Sequence, residues 1–182
     1  MSDRQTEHTR DDILNAFNSL IETTDFDKIT VQKIIEKAGI GRTTFYRYFK
    51  DKYDVMNYNY MKYLQEYLLA GKIQTFEDFF NIMTADGTEF FRHIKKIFDS
   101  TGANSFQNYV YEASFMAVNL VFASRGKTLT PAEHLQYSFL CHGIPHLYES
   151  WIKGEYEGLT SEEAARAIYE ILPEAIRGNL WE

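Results

Sequence analysis

Apolar residues recur at helical spacing along most of the chain, and the first such stretch covers residues 9–24. Its apolar positions are Ile13, Phe17, Leu20 and Ile21. A repeat of three to four residues places side chains on one face of an α-helix. We therefore expect an amphipathic helix here, after a polar N-terminal segment.

Two shorter helices are predicted between Thr30 and Phe49. Thr30 is a favourable N-cap, and Gly39 suits the left-handed residue that ends a helix. Phe45 and Phe49 are four residues apart, which makes them the buried side of the second of these helices. Its opposite side carries Thr43, Thr44 and Arg47, flanked by Arg42 and Tyr46. A short helix that is anchored by phenylalanines and displays polar and basic groups is typical of the recognition helix in a helix-turn-helix.

The remaining chain predicts further helices and no convincing strand. Asp51 can cap a helix that runs to Gly71, and four pairs of residues with capping-box spacing mark later helix starts. These pairs are Thr75 with Asp78, Asp86 with Glu89, Thr130 with Glu133, and Thr160 with Glu163. They predict helices near 76–85, 87–100, 104–124, 131–154 and 161–176, and Pro173 would kink or end the last one.

Three of these helices differ in how their apolar residues are distributed. Segment 104–124 is apolar almost all round, so we expect it to be largely buried, with one solvated polar stripe. Segment 131–154 has a strong apolar face and a second, mixed face, and 161–176 carries an apolar stripe opposite a charged one. Helices of this kind can lie between the core of their own subunit and a partner.

The composition fits a globular chain with a sizeable core, because 45% of the 182 residues are hydrophobic and 16% are aromatic. One cysteine, Cys141, excludes an internal disulfide. No apolar run is long enough to span a bilayer, and the first residues lack the apolar stretch of a secretory signal. We therefore expect a cytoplasmic protein without a membrane partner.

The distribution of charge favours a nucleic-acid partner although the net charge is −7. Residues 1–52 contain nine Lys or Arg and nine Asp or Glu, so the whole excess of acid lies after residue 52. Within 28–52, seven cations stand against two carboxylates, a local charge of +5. This segment can face phosphate while the acidic remainder disfavours non-specific contact with DNA.

The run from Ala38 to Phe49, followed by Lys50, Asp51 and Lys52, resembles the DNA-binding signature of the TetR family of one-component bacterial regulators. The likeness rests on the glycine in the turn, the small residues that open the second helix, the aromatic residues and the lysine at 52. Gly41 stands where the family usually has a capping Ser or Thr, which weakens that cap by a few tenths of a kcal/mol.

The resemblance implies an all-α fold with a three-helix helix-turn-helix head at residues 1–52 and a larger helical effector-binding and dimerisation domain at 53–182. It implies phosphate contacts by Thr30, Tyr46, Tyr48 and Lys52. It places Arg42, Thr43, Thr44 and Arg47 near base edges of double-stranded operator DNA. A homodimer formed by the faces of 131–154 and 161–176 would set the two heads about 34 Å apart.

A repressor released by a small molecule is the mechanism that we expect. The ligand would enter the aromatic body, tilt the helix at 51–70 and change the spacing of the heads. The candidate pocket residues are Tyr63, Phe79, Phe91, His93, Tyr111, Phe115 and His142. Packing in a plain hydrophobic core is the open alternative for these side chains.

The C-terminal part supports a second hypothesis. Residues 142–146 and 151–154, together with Glu162 and Glu163, are similar to the C-terminal domains of a TetR subgroup that includes regulators of dihydroxyacetone kinase genes. Because that subgroup includes regulators that act through a partner protein, the chain is alternatively a regulator or coactivator controlled by a protein.

Enzymatic and metal-dependent functions have little support in the sequence. His142 and His146 have the spacing of zinc ligands, but the same helix offers no third ligand, and Cys141 points to its other face. Cys141 is expected among aliphatic residues, where thiols are usually inert. Phosphate-binding glycine loops, paired carboxylates and nucleophile elbows are missing from the sequence. We expect no catalytic residue, no metal and no cofactor.

Overall fold

Helices form the regular elements in residues 3–84, 88–100, 103–174 and 177, which are the residues that this computed structural model describes. The helices are α1 (Asp3–Thr23), α2 (Val31–Ala38), α3 (Arg42–Tyr48), α4 (Lys52–Leu69), α5 (Phe76–Thr84), α6 (Glu89–Phe98), α7 (Ala103–Ser124), α8 (Pro131–Ile152) and α9 (Ser161–Ile171). A 3-10 turn at Phe26–Lys28 lies between α1 and α2. These ranges contain no strand, and the all-α prediction is confirmed.

Threonine caps open α2, α5, α8 and α9, as the sequence predicts. The Thr30 hydroxyl oxygen accepts a hydrogen bond from the Lys33 N–H at 3.2 Å. Reciprocal bonds between side chain and backbone join Thr75 with Asp78, Thr130 with Glu133, and Thr160 with Glu163. Such bonds satisfy N–H groups that have no partner inside the helix.

The predicted start of α6 needs a correction. The sequence suggested a cap at Asp86, which lies outside the described residues, and a helix from about residue 87. Instead α6 begins at Glu89, and the hydroxyl oxygen of Thr88 accepts a hydrogen bond from the Phe91 N–H at 3.1 Å. A threonine can cap a helix by itself, because the acidic residue three positions later is a supplement to the cap and not a requirement.

Pro173 ends α9 earlier than residue 176. The last helical residue is Ile171, and Leu172 is extended with ψ 136°. The proline ring clashes with a helical conformation of the residue before it, which accounts for this end.

The chain divides into two units, each held together by its own internal contacts. The first unit comprises Met1–Glu66 and Thr88–Phe106. Its fully buried side chains come from α1, the 3-10 turn, α2, α3, α4, α6 and α7, and include Ile13, Phe17, Phe26, Ile34, Phe45, Val55, Ile97 and Phe106. Within it α1 packs against both α2 and α6, and α2 packs against α3. The predicted three-helix head therefore shares its unit with α6.

The second unit comprises Tyr67–Gly87 and Gln107–Glu182. One of its cores joins α5, α8 and α9 through Phe76, Phe80, Leu140, Ala164, Ala165, Ile168 and Leu172. A smaller core contains Phe122, Tyr137 and Cys141. The apolar stripe of α9 thus packs largely within the second unit itself, and Ile171 remains exposed.

Helices α4 and α7 each begin in the first unit and end in the second. The division at residue 52 was drawn from expected function and stays a prediction. The exposed positions of α7 include Asn108, Glu112 and Asn119, three of the four residues of the solvated stripe that the sequence suggested. The side chain of the fourth, Ser105, lies outside the described part of the chain. None of the described helices combines the length and the apolar character that crossing a membrane requires.

Candidate nucleic-acid interface

The connection between α2 and α3 has the geometry of a helix-turn-helix. Gly39 adopts the left-handed conformation with φ 65°. Its N–H donates to the Glu36 carbonyl at 3.3 Å, and the Ile40 N–H donates to the Ile35 carbonyl at 3.2 Å. A side chain at this φ would be strained, so glycine permits the abrupt stop that leads into α3.

Two phenylalanines anchor α3. Phe45 and Phe49 are almost completely buried, and their ring centres lie 6.1 Å apart. The Phe49 ring also meets the Tyr58 ring of α4 edge-on at 5.5 Å. The start of α3 has no side-chain cap at Gly41, so burial of the phenylalanines holds this short helix in place.

The opposite side of α3 faces outward. Arg42, Thr43, Tyr46 and Arg47 are exposed, and Thr44 is half-buried. The Arg42 guanidinium lies over the Tyr46 ring, 5.4 Å from its centre, and donates to the Tyr46 hydroxyl at 3.4 Å. Guanidinium, hydroxyl and phenol groups on one exposed helix face are the groups that read base edges and hold phosphates.

Thr30 lies at the start of α2. Thr30 is exposed, and its hydroxyl oxygen accepts the capping hydrogen bond, which leaves the hydroxyl hydrogen able to donate. A phosphate oxygen at the start of α2 would also be favoured by the positive end of the helix dipole.

Tyr48 and Lys52 are engaged within the protein. The Tyr48 hydroxyl is buried without a hydrogen-bond partner, and the Arg10 guanidinium lies 5.7 Å from the centre of its ring. The Lys52 ammonium donates to the carbonyls of Phe26 at 2.8 Å and Asp27 at 3.4 Å. Burial lowers the pKa of Lys52. The phosphate contacts expected of Tyr48 and Lys52 stay predictions.

The candidate pocket residues of the first unit have different environments. Tyr63 is half-buried on α4, and Phe91 is buried on α6. His93 is only 4% exposed, and its Nε2 lies 3.1 Å from a carboxylate oxygen of Glu22 on α1. Burial lowers the pKa of His93, while Glu22 acts in the opposite direction.

In the second unit, three of the four candidates come together. The Tyr111 and His142 rings stack with centres 4.1 Å apart, and Phe115 stacks on Tyr111 at 6.0 Å. Phe79 belongs to the other core, where its ring lies 6.3 Å from that of Phe76. The Tyr111 group is therefore the part of the predicted pocket that the fold brings together.

Cys141 is buried in the smaller core with Phe122 and Tyr137, so its neighbours are mainly aromatic and not the aliphatic residues that the sequence suggested. Burial raises the pKa of the Cys141 thiol to about 11, so a thiolate is scarce at neutral pH. His142 and His146 are exposed, and His146 Nδ1 lies 3.2 Å from the Gln107 amide nitrogen.

Sequence reasoning missed a polar cluster between α1 and α6. Glu22 accepts from the Arg92 guanidinium at 3.1 Å as well as meeting His93. The Lys96 ammonium donates to the carbonyls of Ile21 at 2.6 Å and Glu22 at 2.7 Å. These contacts join residues 70 to 75 positions apart, so no local pattern in the chain reveals them.

Comparisons with known proteins agree with this geometry. Residues 13–58 match the family model described as bacterial regulatory proteins, tetR family. A search of curated proteins found no match. A solved structure named dihydroxyacetone kinase operon activator DhaS is similar over 94% of this chain and 97% of that chain, with a TM-score of 0.53 at 20% identity. At this identity the likeness concerns the fold.

Proposed function

We propose that this chain, which belongs to the tetR family of bacterial DNA-binding regulators, binds its operator as a homodimer and represses transcription until a small molecule releases it. The observation that carries the proposal is the exposed face of α3, with Arg42, Thr43, Tyr46 and Arg47 opposite the buried Phe45 and Phe49. A regulator of this kind works in the cytoplasm, where its operator is.

The proposed DNA contact of each side chain follows from its chemical group. Arg42 and Arg47 reach base edges, and Thr43 and Thr44 supply shorter donors and acceptors beside them. Thr30 and Tyr46 bind phosphates at the edges of this surface and thereby fix the register of α3 on the duplex.

The dimer is supported by large apolar side chains on α8 that nothing in the subunit covers. Leu135 is 72% exposed and Phe139 is 77% exposed, one helical turn apart. An exposed apolar patch on a folded chain is typical of a protein interface. A second subunit would bury this patch and supply the second head.

The DNA-binding proposal can be tested with a duplex that the protein selects from a random-sequence pool. Replacing both Arg42 and Arg47 by alanine should raise the Kd for that duplex by at least about tenfold, because each base-edge contact contributes roughly 1 to 3 kcal/mol. Equal affinity of the double variant and the wild type would refute the assignment.

The sign of regulation and the nature of the effector need a separate experiment. Candidate metabolites added to the complex should lower operator affinity by roughly 5- to 150-fold if a small molecule is the inducer. The structural neighbour is named an activator, and a regulator controlled by a protein is the rival. Increased expression of a reporter, together with an operator affinity that the metabolites leave unchanged, would favour that rival.

A further inference from the structure

Three basic side chains of α6 converge on the last turn of α1. The Arg92 guanidinium and His93 Nε2 each lie 3.1 Å from the same carboxylate oxygen of Glu22. The Lys96 ammonium donates to the main-chain carbonyls of Ile21 and Glu22. Carbonyls in the last turn of a helix lack partners inside the helix and attract cations, so Lys96 caps α1 from another element.

The segment after this turn is held in the same way from α4. The Lys52 ammonium donates to the carbonyls of Phe26 and Asp27. Phe26 is completely buried, and the segment leads directly to Thr30, which caps α2. Two lysines from two helices thus fix the path from α1 to α2, and α2 carries α3.

The position of α6 in the chain connects these contacts to the second unit. Residues 67–87 before it and residues from 107 onward after it belong to the second unit. Helix α6 is therefore connected by the chain on both sides to the unit proposed to bind the effector, while it packs against α1 within the first unit.

A metal ion is an alternative explanation for part of this cluster. Ligand atoms of Glu22, Glu89 and His93 lie within 4.8 Å of one another. However, the Arg92 guanidinium already contacts the Glu22 carboxylate oxygen that His93 also meets. The protein supplies its own cation there, so the cluster is explained as a contact between two helices.

We propose that Lys96 is a positioning residue for DNA binding: together with Arg92 it fixes the end of α1, and through the α1–α2 segment it sets the orientation of α3. This inference rests on the proposed DNA binding by paired heads. A displaced α6 would move the end of α1, and fewer dimers would then have both heads in the orientation that binds the two half-sites. Lys96 itself makes no contact with DNA in this scheme.

Lys96→Met tests the proposal, because it keeps the length of the side chain and removes the ammonium. Lys95→Met is the matched control, since Lys95 is exposed on the same helix and loses the same charge. We expect Lys96→Met to raise the operator Kd about tenfold, by reducing the binding-competent fraction to about a tenth. Lys95→Met should stay within about twofold, and Lys96→Arg should restore most of the affinity because a guanidinium also donates to carbonyls.

The dependence of Kd on salt separates positioning from direct contact. Loss of a phosphate contact lowers the slope of log K against log salt concentration by about one, whereas a positioning residue leaves the slope unchanged. Stoichiometric titration gives the fraction of protein that is bound at saturating DNA, and this fraction is unchanged when competent and incompetent orientations exchange freely. A fall in that fraction with unchanged Kd would mean that Lys96 only stabilises the fold, and this overturns the proposal.

Two further results would also overturn it: a slope lowered by about one, or equal effects of Lys96→Met and Lys95→Met. Failure of the wild type to select any duplex is a different outcome, because it refutes the proposed DNA binding itself. Glu22→Gln gives a second variant, in which the Arg92 partner loses its charge and a smaller loss of affinity is expected with the same unchanged salt slope.

Discussion

Individual residues of the head have two kinds of role, which burial separates. Side chains such as Phe45 and Phe26 are fully buried and fix the backbone, while Arg42 and Arg47 are exposed. Lys52 shows that sequence position alone does not decide between these roles. Its ammonium points back to the Phe26 carbonyl, which lies 26 residues away in the chain.

Arg47→Ala should weaken binding to the selected duplex by roughly 1 to 3 kcal/mol and relax discrimination at the base pair that Arg47 reads. The reason is that a guanidinium donates two hydrogen bonds to a guanine edge, which alanine cannot replace. Titration of single-base variants of the duplex measures both effects. Arg125→Ala is the control, as it removes an exposed arginine outside the first unit. Undiminished discrimination at every position in Arg47→Ala would exclude Arg47 from base reading.

The buried His93 should make stability depend on pH. Burial holds the pKa of His93 below the ordinary histidine value of 6.5, so the neutral ring is favoured in the folded state. Its contribution to stability is present above that value and is lost as the pH falls through the folded-state pKa. Urea unfolding at several pH values should show a steeper loss of stability on acidification in the wild type than in His93→Gln. Parallel pH profiles for the two proteins would show that His93 does not titrate in this way.

At the scale of helices, the sequence predicts starts and ends well, because local chemistry determines them. Thr130 and Thr160 each combine with an acidic residue three positions later, and Pro173 stops α9. The start of α6 was misjudged because two residues with capping side chains, Asp86 and Thr88, lie close together. The contacts of Lys96 and Glu22 could not be foreseen, since they depend on the way α6 packs on α1.

Thr130→Ala should lower the free energy of unfolding by about 1 kcal/mol, the usual effect of losing an N-cap. The hydroxyl oxygen of Thr130 accepts from the Glu133 N–H at 3.3 Å, and that group would then lack its partner. Urea denaturation followed by circular dichroism measures the change. Thr128→Ala, in the exposed segment before α8, should leave stability within about 0.5 kcal/mol. Equal losses in the two variants would show that the cap is unimportant to α8.

At the scale of the whole molecule, charge and exposed apolar surface are distributed unevenly along the chain. The cations of 28–52 give a local charge of +5 in a chain with a net charge of −7. The exposed Leu135 and Phe139 lie on α8, in the second unit. The sequence already indicated the first feature and a mixed face on α8, but solvent exposure identifies which apolar residues the subunit leaves uncovered.

Phe139→Glu should convert the protein to monomers, because a dimer would have to bury two carboxylates against apolar surface without partners. Sedimentation velocity at micromolar concentration should show a dimer for the wild type and a monomer for the variant. Leu69→Glu is the control, since Leu69 is also strongly exposed, at 80%, but lies at the end of α4. Operator affinity should fall when dimerisation is lost, because a single head makes only half of the contacts. A Phe139→Glu protein that remains dimeric would place the interface elsewhere. A monomeric wild type would refute the proposed dimer. If the variant is monomeric and still folded by circular dichroism, its weakened operator binding directly measures how much the pairing of heads contributes.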